Sequence, residues 1–147
     1  MNYRDPRELE TYAFLWSEVK LLVAAVALLI GGYPPIFLLL PISATYGFVS
    51  LGLKLAWIIS GVAAAYLAYR WYTGGQKLFG GNDTKDKAAF AVLVVSGINL
   101  GLTGILGQNI GMSISSNYAV FVVVALAYLG SAVYLFQRWS SHGKKIF

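Results

Sequence analysis

Residues 28–41 have the sequence LLIGGYPPIFLLLP, an apolar run that contains two adjacent glycines and two adjacent prolines. Such a run either ends one membrane-spanning helix at a turn or forms the broken middle of a single span. Proline lacks a backbone N–H and its ring clashes with the carbonyl four residues earlier, so no regular helix continues through Pro34 and Pro35. The choice between turn and break decides how the rest of the chain is divided.

The composition of the chain favours lipid as its solvent. Of 147 residues, 58% are hydrophobic and 12% are charged, and the mean hydropathy is +0.66. Soluble domains carry roughly 25% charged residues, so this chain lacks the polar side chains to cover a globule in water. Because cysteine is absent, disulfides and thiolate metal sites are excluded.

Four apolar blocks are long enough to cross a bilayer, which takes about 20 helical residues. We place them at about 21–40, 48–69, 88–107 and 118–137, within a membrane domain covering 21–139. The sequence therefore predicts an all-α integral membrane protein, a four-transmembrane-helix bundle with a Gly/Pro-broken first helix. Around it we expect an N-terminal interfacial segment (1–20), a cytoplasmic loop (70–87) and a basic tail (140–147).

The N-terminal segment carries its own helix signal. Asp5 precedes Pro6, and Glu8 follows three residues after Asp5, a pattern that resembles a capping box. The helix that begins there is expected either to lie in the membrane interface or to run straight into the first span.

The basic residues lie on one side of the predicted spans. Ten of the eleven precede the first span, lie in the loop 70–87 or follow the fourth span: Arg4, Arg7, Lys20, Arg70, Lys77, Lys85, Lys87, Arg138, Lys144 and Lys145. The positive-inside rule then places both termini in the cytoplasm, with the protein in the cell (inner) membrane. The remaining Lys54 is expected to snorkel to the outer edge, or alternatively to line an outer vestibule.

Two charged residues favour the break over the turn. A turn at residues 31–35 would move the first span to about 11–30 and bring Glu18 and Lys20 into the membrane. Each charge at the centre of a span costs roughly 2.5–3.5 kcal/mol. A span at 21–40 contains no charge, so the diproline is predicted to lie at the bilayer midplane.

The predicted break leaves the carbonyls of Ile30 and Gly31 without their helical donors. A free carbonyl in hydrocarbon costs several kcal/mol, so a partner is needed. Counting residues from the basic boundaries places four polar side chains at one depth: Tyr33, Ser60, Asn99 and Tyr128. These six residues form a possible midplane site, with interhelical hydrogen bonds that serve packing alone as the alternative.

Small residues recur at about every fourth position in two spans, a pattern that lets helix backbones approach closely. They are Gly52, Ala56, Ser60, Ala64 and Ala68 in the second span and Gly97, Gly101 and Gly104 in the third. The pattern favours tight packing in the bundle and leaves self-association open.

The sequence carries no pattern typical of catalysis. The one histidine, His142, lies in the tail, no carboxylate falls in a predicted span, and phosphate loops and metal-ligand spacings are absent. The missing intramembrane acid also argues against proton-driven export. We expect no enzyme activity, cofactor, metal or nucleic-acid partner.

Two functions remain open. The favoured hypothesis is a protein in the lipid bilayer that packs with itself into a homo-oligomer or with other membrane subunits. The alternative is a channel or facilitator for a neutral solute or cation, with its site at the broken first helix.

Overall fold

The architecture comes from a computed structural model, which describes residues 5–40 and 42–147, the side chains of 42–45 excepted. In that part of the chain six helices are formed: α1 (Pro6–Leu29), α2 (Ile36–Leu39), α3 (Ile42–Thr73), α4 (Thr84–Leu106), α5 (Ile110–Ile114) and α6 (Tyr118–Ser141). The predicted features at residues 1–4, Arg4 among them, and at Pro41 lie outside the described residues.

Four helices are long and apolar enough to cross a membrane: α1, residues Tyr46–Thr73 of α3, α4 and α6. The predicted all-helical class and the number of apolar helices of membrane-spanning length are therefore confirmed.

Short polar side chains cap three of the long helices at their first turns. Asp5 accepts from the backbone N–H of the second residue after it at 2.9 Å, and Asp83 and Asn117 do the same at 2.7 and 2.9 Å. Each bond satisfies an N–H that has no partner inside the helix. At the other end of α4, Gly107 adopts a left-handed φ of 75°, a conformation that glycine reaches without strain.

The long helices form a four-sided bundle. The α3–α4 contact is the most extensive, α1 packs along α6, and α1 meets α4 across the centre. Two ion pairs, Glu10–Arg70 and Asp86–Arg138, join the starts of α1 and α4 to the ends of α3 and α6. We call this the basic end. The opposite, neutral end comprises residues 30–40, α5 and residues 115–117.

The half of the bundle near the basic end is tightly packed. Its buried cluster includes Phe14, Leu67, Leu93, Leu135 and Trp139, one or more from each long helix. The segment after α6 joins this core rather than extending freely. The Phe79 N–H donates to the Ile146 carbonyl at 2.7 Å, and both of those side chains are buried. The predicted basic tail is thus packed on the loop between α3 and α4.

Glycines bring α3 and α4 together. A Cβ at Gly101 would lie 2.6 Å from the Cα of Gly61, and a Cβ at Gly97 would lie 2.5 Å from that of Ala64. Such distances place the two backbones in direct contact, as small residues allow. A Cβ at Gly104 would lie 2.8 Å from Ile58 Cγ1 and 2.9 Å from the Lys54 carbonyl oxygen.

The remaining members of the predicted small-residue faces are distributed differently. Ser60 is buried, Ala56 lines a cavity described below, and Ala68 is half-buried. Gly52 has no described atom within 4 Å of the place a Cβ would occupy, so it lies outside the helix contacts.

The first helix differs from the predicted span. α1 runs from Pro6 to Leu29 without interruption, so a single helix contains both the described part of the predicted interfacial segment and residues 21–29. Residues 30–35 are not helical, and α2 adds a single turn. Gly31 and Gly32 have φ values of 96° and 90°, which end α1. Residues 21–40 are therefore not one broken helix, and α1 follows the alternative of a helix that continues straight into the apolar block.

The diproline lies at the neutral end, not halfway along the bundle. The Tyr118 hydroxyl donates to the Leu29 carbonyl oxygen at 2.7 Å, so the end of α1 is level with the start of α6. Glu18 and Lys20 consequently lie near the middle of α1, where both are buried. The hydropathy argument treated these charges as exposed to lipid, whereas the fold encloses them in protein.

The other predicted boundaries shift by a few residues. The loop predicted at 70–87 is shortened to residues 74–83, because α3 continues to Thr73 and α4 begins at Thr84. Residues 42–47, which lie between the first two predicted spans, belong to α3, and residues 108–117, which lie between the third and fourth, contain α5.

Candidate functional site

A cavity of about 580 Å³ occupies the neutral half of the bundle. It extends from Lys20 and Ser60, near mid-bundle, to the diproline and Met112 at the neutral end. All six helices contribute to its wall, which is mostly apolar. Sites for small molecules are typically apolar clefts of about 300–1,000 Å³ with a few polar groups. This cavity therefore has the size and lining of a ligand site.

The loop after α1 borders the cavity at the neutral end. A Cβ on Gly32 would collide with the terminal methyl of Met112 and come within 3.5 Å of Phe121. Only glycine permits both this approach and the positive φ of the position without strain. Gly32 thereby brings the loop against α5 and α6.

Asn99 holds α5 over the cavity. Its side-chain N–H donates to Asn109 Oδ1 at 3.0 Å, and its Oδ1 accepts from the Gly111 N–H at 3.1 Å. Asn109 Oδ1 also accepts from the Met112 N–H at 3.2 Å, which caps α5. The predicted partner of the Ile30 and Gly31 carbonyls therefore positions the short helix that covers the cavity.

Lys20 supplies the charged group at the inner end of the cavity. Its side-chain ammonium donates to Ser96 Oγ at 2.6 Å and to the Leu93 carbonyl at 3.2 Å. Both partners are neutral. Lys20 is 8% exposed, and no carboxylate among the described residues lies within 4.0 Å of its ammonium.

Two further polar contacts line the same region. The Trp16 indole N–H donates to Ser60 Oγ at 2.9 Å, and the Ser60 hydroxyl donates to the Ala56 carbonyl at 2.8 Å. The half-buried Tyr128 of α6 borders the cavity from the opposite side. The inner end thus has several hydrogen-bonding groups. Toward the neutral end the wall is mostly apolar, with Asn99, Asn109 and Ser115 as its polar residues.

The structure brings together half of the predicted midplane residues. Ser60, Asn99 and Tyr128 line this one cavity, whereas Ile30, Gly31 and Tyr33 are not part of its wall. Tyr33 is 68% exposed at the neutral end.

Sequence reasoning missed six residues of the cavity wall that carry polar atoms: Trp16, Lys20, Trp57, Ser96, Asn109 and Ser115. The signal for the first two was the helical spacing of Phe14, Leu21 and Ala25, all fully buried. That spacing runs across the boundary set at residue 21 and marks a single packed helix.

Glu18 lies near the middle of α1 but lines a different, smaller cavity of about 380 Å³ beside α6. Glu18 is 5% exposed, and its Oε1 atom has no hydrogen-bond partner among the described residues. The sequence predicts no carboxylate within a span, whereas Glu10, Glu18 and Asp86 lie in α1 and α4, two of the helices that are long and apolar enough to cross a membrane. The argument against proton coupling loses its basis.

Comparison of the chain with known proteins found no matching family model, curated protein or solved structure. The site is therefore interpreted from its own geometry.

Proposed function

We propose that this chain is a small integral membrane protein that binds a small, mostly apolar solute in the neutral-half cavity and facilitates its transfer. The observation that supports this proposal is the cavity itself: an apolar chamber of about 580 Å³ with a buried ammonium and hydroxyls at its inner end. The arrangement offers a binding site without a catalytic step.

The charge of the cavity restricts the solute. A cation approaching the inner end would be repelled by Lys20, and at low dielectric such repulsion is strong. We therefore propose a neutral or anionic solute and no longer include a cation.

The packing of the basic and neutral halves of the bundle suggests from which side a solute enters the cavity. Phe14, Leu67 and Leu135 fill the basic half, while the cavity reaches the neutral end. With the basic end assigned to the cytoplasm by the positive-inside rule, the cavity faces the opposite side of the membrane. Transfer then requires the basic half to open.

Tryptophan fluorescence offers a direct test of binding. Trp16 and Trp57 line the cavity, whereas Trp139 lies in the packed basic half. We expect 10-bromodecanol, whose bromine quenches indole emission, to quench the purified protein in phosphatidylcholine liposomes with a saturable component. Val124→Phe, which projects a ring into the cavity, should lower the affinity measured from that saturable component at least about fivefold, which corresponds to about 1 kcal/mol.

Val123→Phe is the matched control, because Val123 is the neighbouring residue of α6 and faces away from the cavity. Uptake of decanesulfonate, an anion that crosses lipid slowly, measures transfer in the same liposomes. Quenching without saturation, equal in the parent and both variants, would contradict the proposal.

A second proposal, assembly into a homo-oligomer or with other membrane subunits, has support from a separate observation. At Gly52 of α3 and Gly130 of α6 no described atom lies within 4 Å of the place a Cβ would occupy, so both backbones are open to close approach. Light scattering of the detergent-solubilised protein is expected to give the mass of a dimer or larger. Gly52→Ile should shift this mass toward the monomer, and a monomeric parent protein would exclude self-association.

A further inference from the structure

The side-chain amine of Lys20 is buried, and the described residues give it no acidic partner within 4.0 Å. Of the three N–H groups of its ammonium, two donate to Ser96 and to the Leu93 carbonyl, both neutral. A buried charge is strongly unfavourable unless it is paired. The described residues supply hydrogen bonds at this position but no opposite charge within 4.0 Å.

Two other enclosed carboxylates of the bundle are each paired with an arginine. The buried Asp86 carboxylate accepts two hydrogen bonds from Arg138, each at 2.9 Å, and Glu10 pairs with Arg70. Both of those pairs join different helices at the basic end. Lys20 alone among these five residues faces a chamber large enough for a ligand.

Glu18 does not fill the role of counter-ion. It lies two residues from Lys20 on α1, which turns its side chain toward the opposite side of the helix. There it borders the smaller cavity beside Val133 and Gln137 of α6. Glu18 and Lys20 therefore form no ion pair within 4.0 Å, and the two side chains line different cavities.

We infer that the cavity takes an amphipathic anion, a molecule with one anionic headgroup and an apolar body. The headgroup pairs with the Lys20 ammonium through its third N–H, and the apolar body lies toward Pro34 and Pro35. Carboxylates, sulfonates and phosphate monoesters share the required chemistry, an anionic oxygen that accepts a hydrogen bond from the ammonium. This inference rests on the proposed function, since it names the class of solute that the same cavity binds.

The test compares probes that share a chain and differ in headgroup. Decanol, decanoate, decanesulfonate and decyl phosphate compete with 10-bromodecanol for the saturable quenching of Trp16 and Trp57 in phosphatidylcholine liposomes. At least one anion should bind about tenfold or more tightly than decanol, as expected for a hydrogen bond to a charged group. The preferred anion identifies the headgroup.

Two lysine variants locate the source of the preference. Lys20→Met keeps the length of the side chain and removes its charge, so affinity for the anions should fall to within about twofold of that for decanol. Lys54→Met is the control, because Lys54 is exposed on α3 outside the cavity wall, and the anion preference should be unchanged.

The outcomes separate the two proposals. Saturable binding of decanol and the anions with equal affinity in the parent protein would overturn the inference and leave the proposed function standing. An anion preference that survives in Lys20→Met would also overturn the inference. Absence of saturable binding for every probe would overturn both. The comparison in the parent protein needs no variant, so it remains decisive if Lys20→Met fails to fold.

Discussion

The substitution Gly101→Ile is expected to separate α3 from α4 and to lower the free energy of unfolding of the bundle by about 3 kcal/mol or more. A Cβ at this position would lie 2.6 Å from the Cα of Gly61 and 3.3 Å from its backbone nitrogen. Extra volume in a packed core typically costs about 1–3 kcal/mol, because neighbouring side chains rotate away. Backbone atoms have no such freedom, so the helices themselves must move apart.

The measurement is unfolding in mixed micelles of increasing sodium dodecyl sulfate content, followed by far-UV circular dichroism. Gly47→Ile provides the control, since it introduces the same residue into a long helix at a position with open space around it. Gly61→Ile should behave like Gly101→Ile, because the two glycines face each other. Equal stability of Gly101→Ile and Gly47→Ile would show that the helices do not meet at this point.

The sequence was informative wherever the deciding interaction was local or repeated. Apolar length alone predicted four long helices, and the spacing of Gly97, Gly101 and Gly104 marked the face of α4 that contacts α3. Asp5 was identified as a helix start, and the structure places it at the N-cap of α1. These features depend on residues within one helix, which a scan along the chain can detect.

The position of α1 depended on partners far along the chain. Glu10 pairs with Arg70, 60 residues away, and Lys20 binds Ser96, 76 residues away. A hydropathy scan counts these charges as obstacles to a membrane span, because it cannot see the groups that satisfy them. For that reason the apolar pattern predicts a first span that begins at residue 21, with the diproline at the bilayer midplane.

The wrong start of the first span also explains why only three of the predicted site residues lie together in the structure. Ser60, Asn99 and Tyr128 were placed by counting from Arg70, Lys87 and Arg138, residues at or near the basic end, and all three line the cavity. Tyr33 was counted from Lys20, which lies near the middle of α1 instead. Because Lys20 lies about half a helix from the basic end, counting from it predicts a position for Tyr33 about 20 Å too close to that end, given a rise of about 1.5 Å per residue.

The substitution Phe14→Ala is expected to destabilise the protein by about 3–5 kcal/mol, the usual cost of removing a buried phenylalanine ring. Phe14 is fully buried, and its ring centroid lies 5.6 Å from that of Trp139 on α6. The surrounding residues come from all four long helices, so they cannot close over the gap without shifting a helix. The midpoint of the same detergent titration measures the loss.

This substitution also tests where α1 begins, because the two interpretations of residues 6–20 predict different results. If these residues formed an interfacial helix beside the bundle, the Phe14 ring would contact lipid headgroups and its removal would cost little. Phe48→Ala measures that case, since Phe48 is 85% exposed on α3. A loss several times larger for Phe14→Ala than for Phe48→Ala would mean that α1 enters the bundle at its first turns, with Glu18 and Lys20 enclosed at mid-height. Equal losses would support the interpretation in which the diproline lies in the middle of the first span. The cavity on which the functional proposals depend would then not exist.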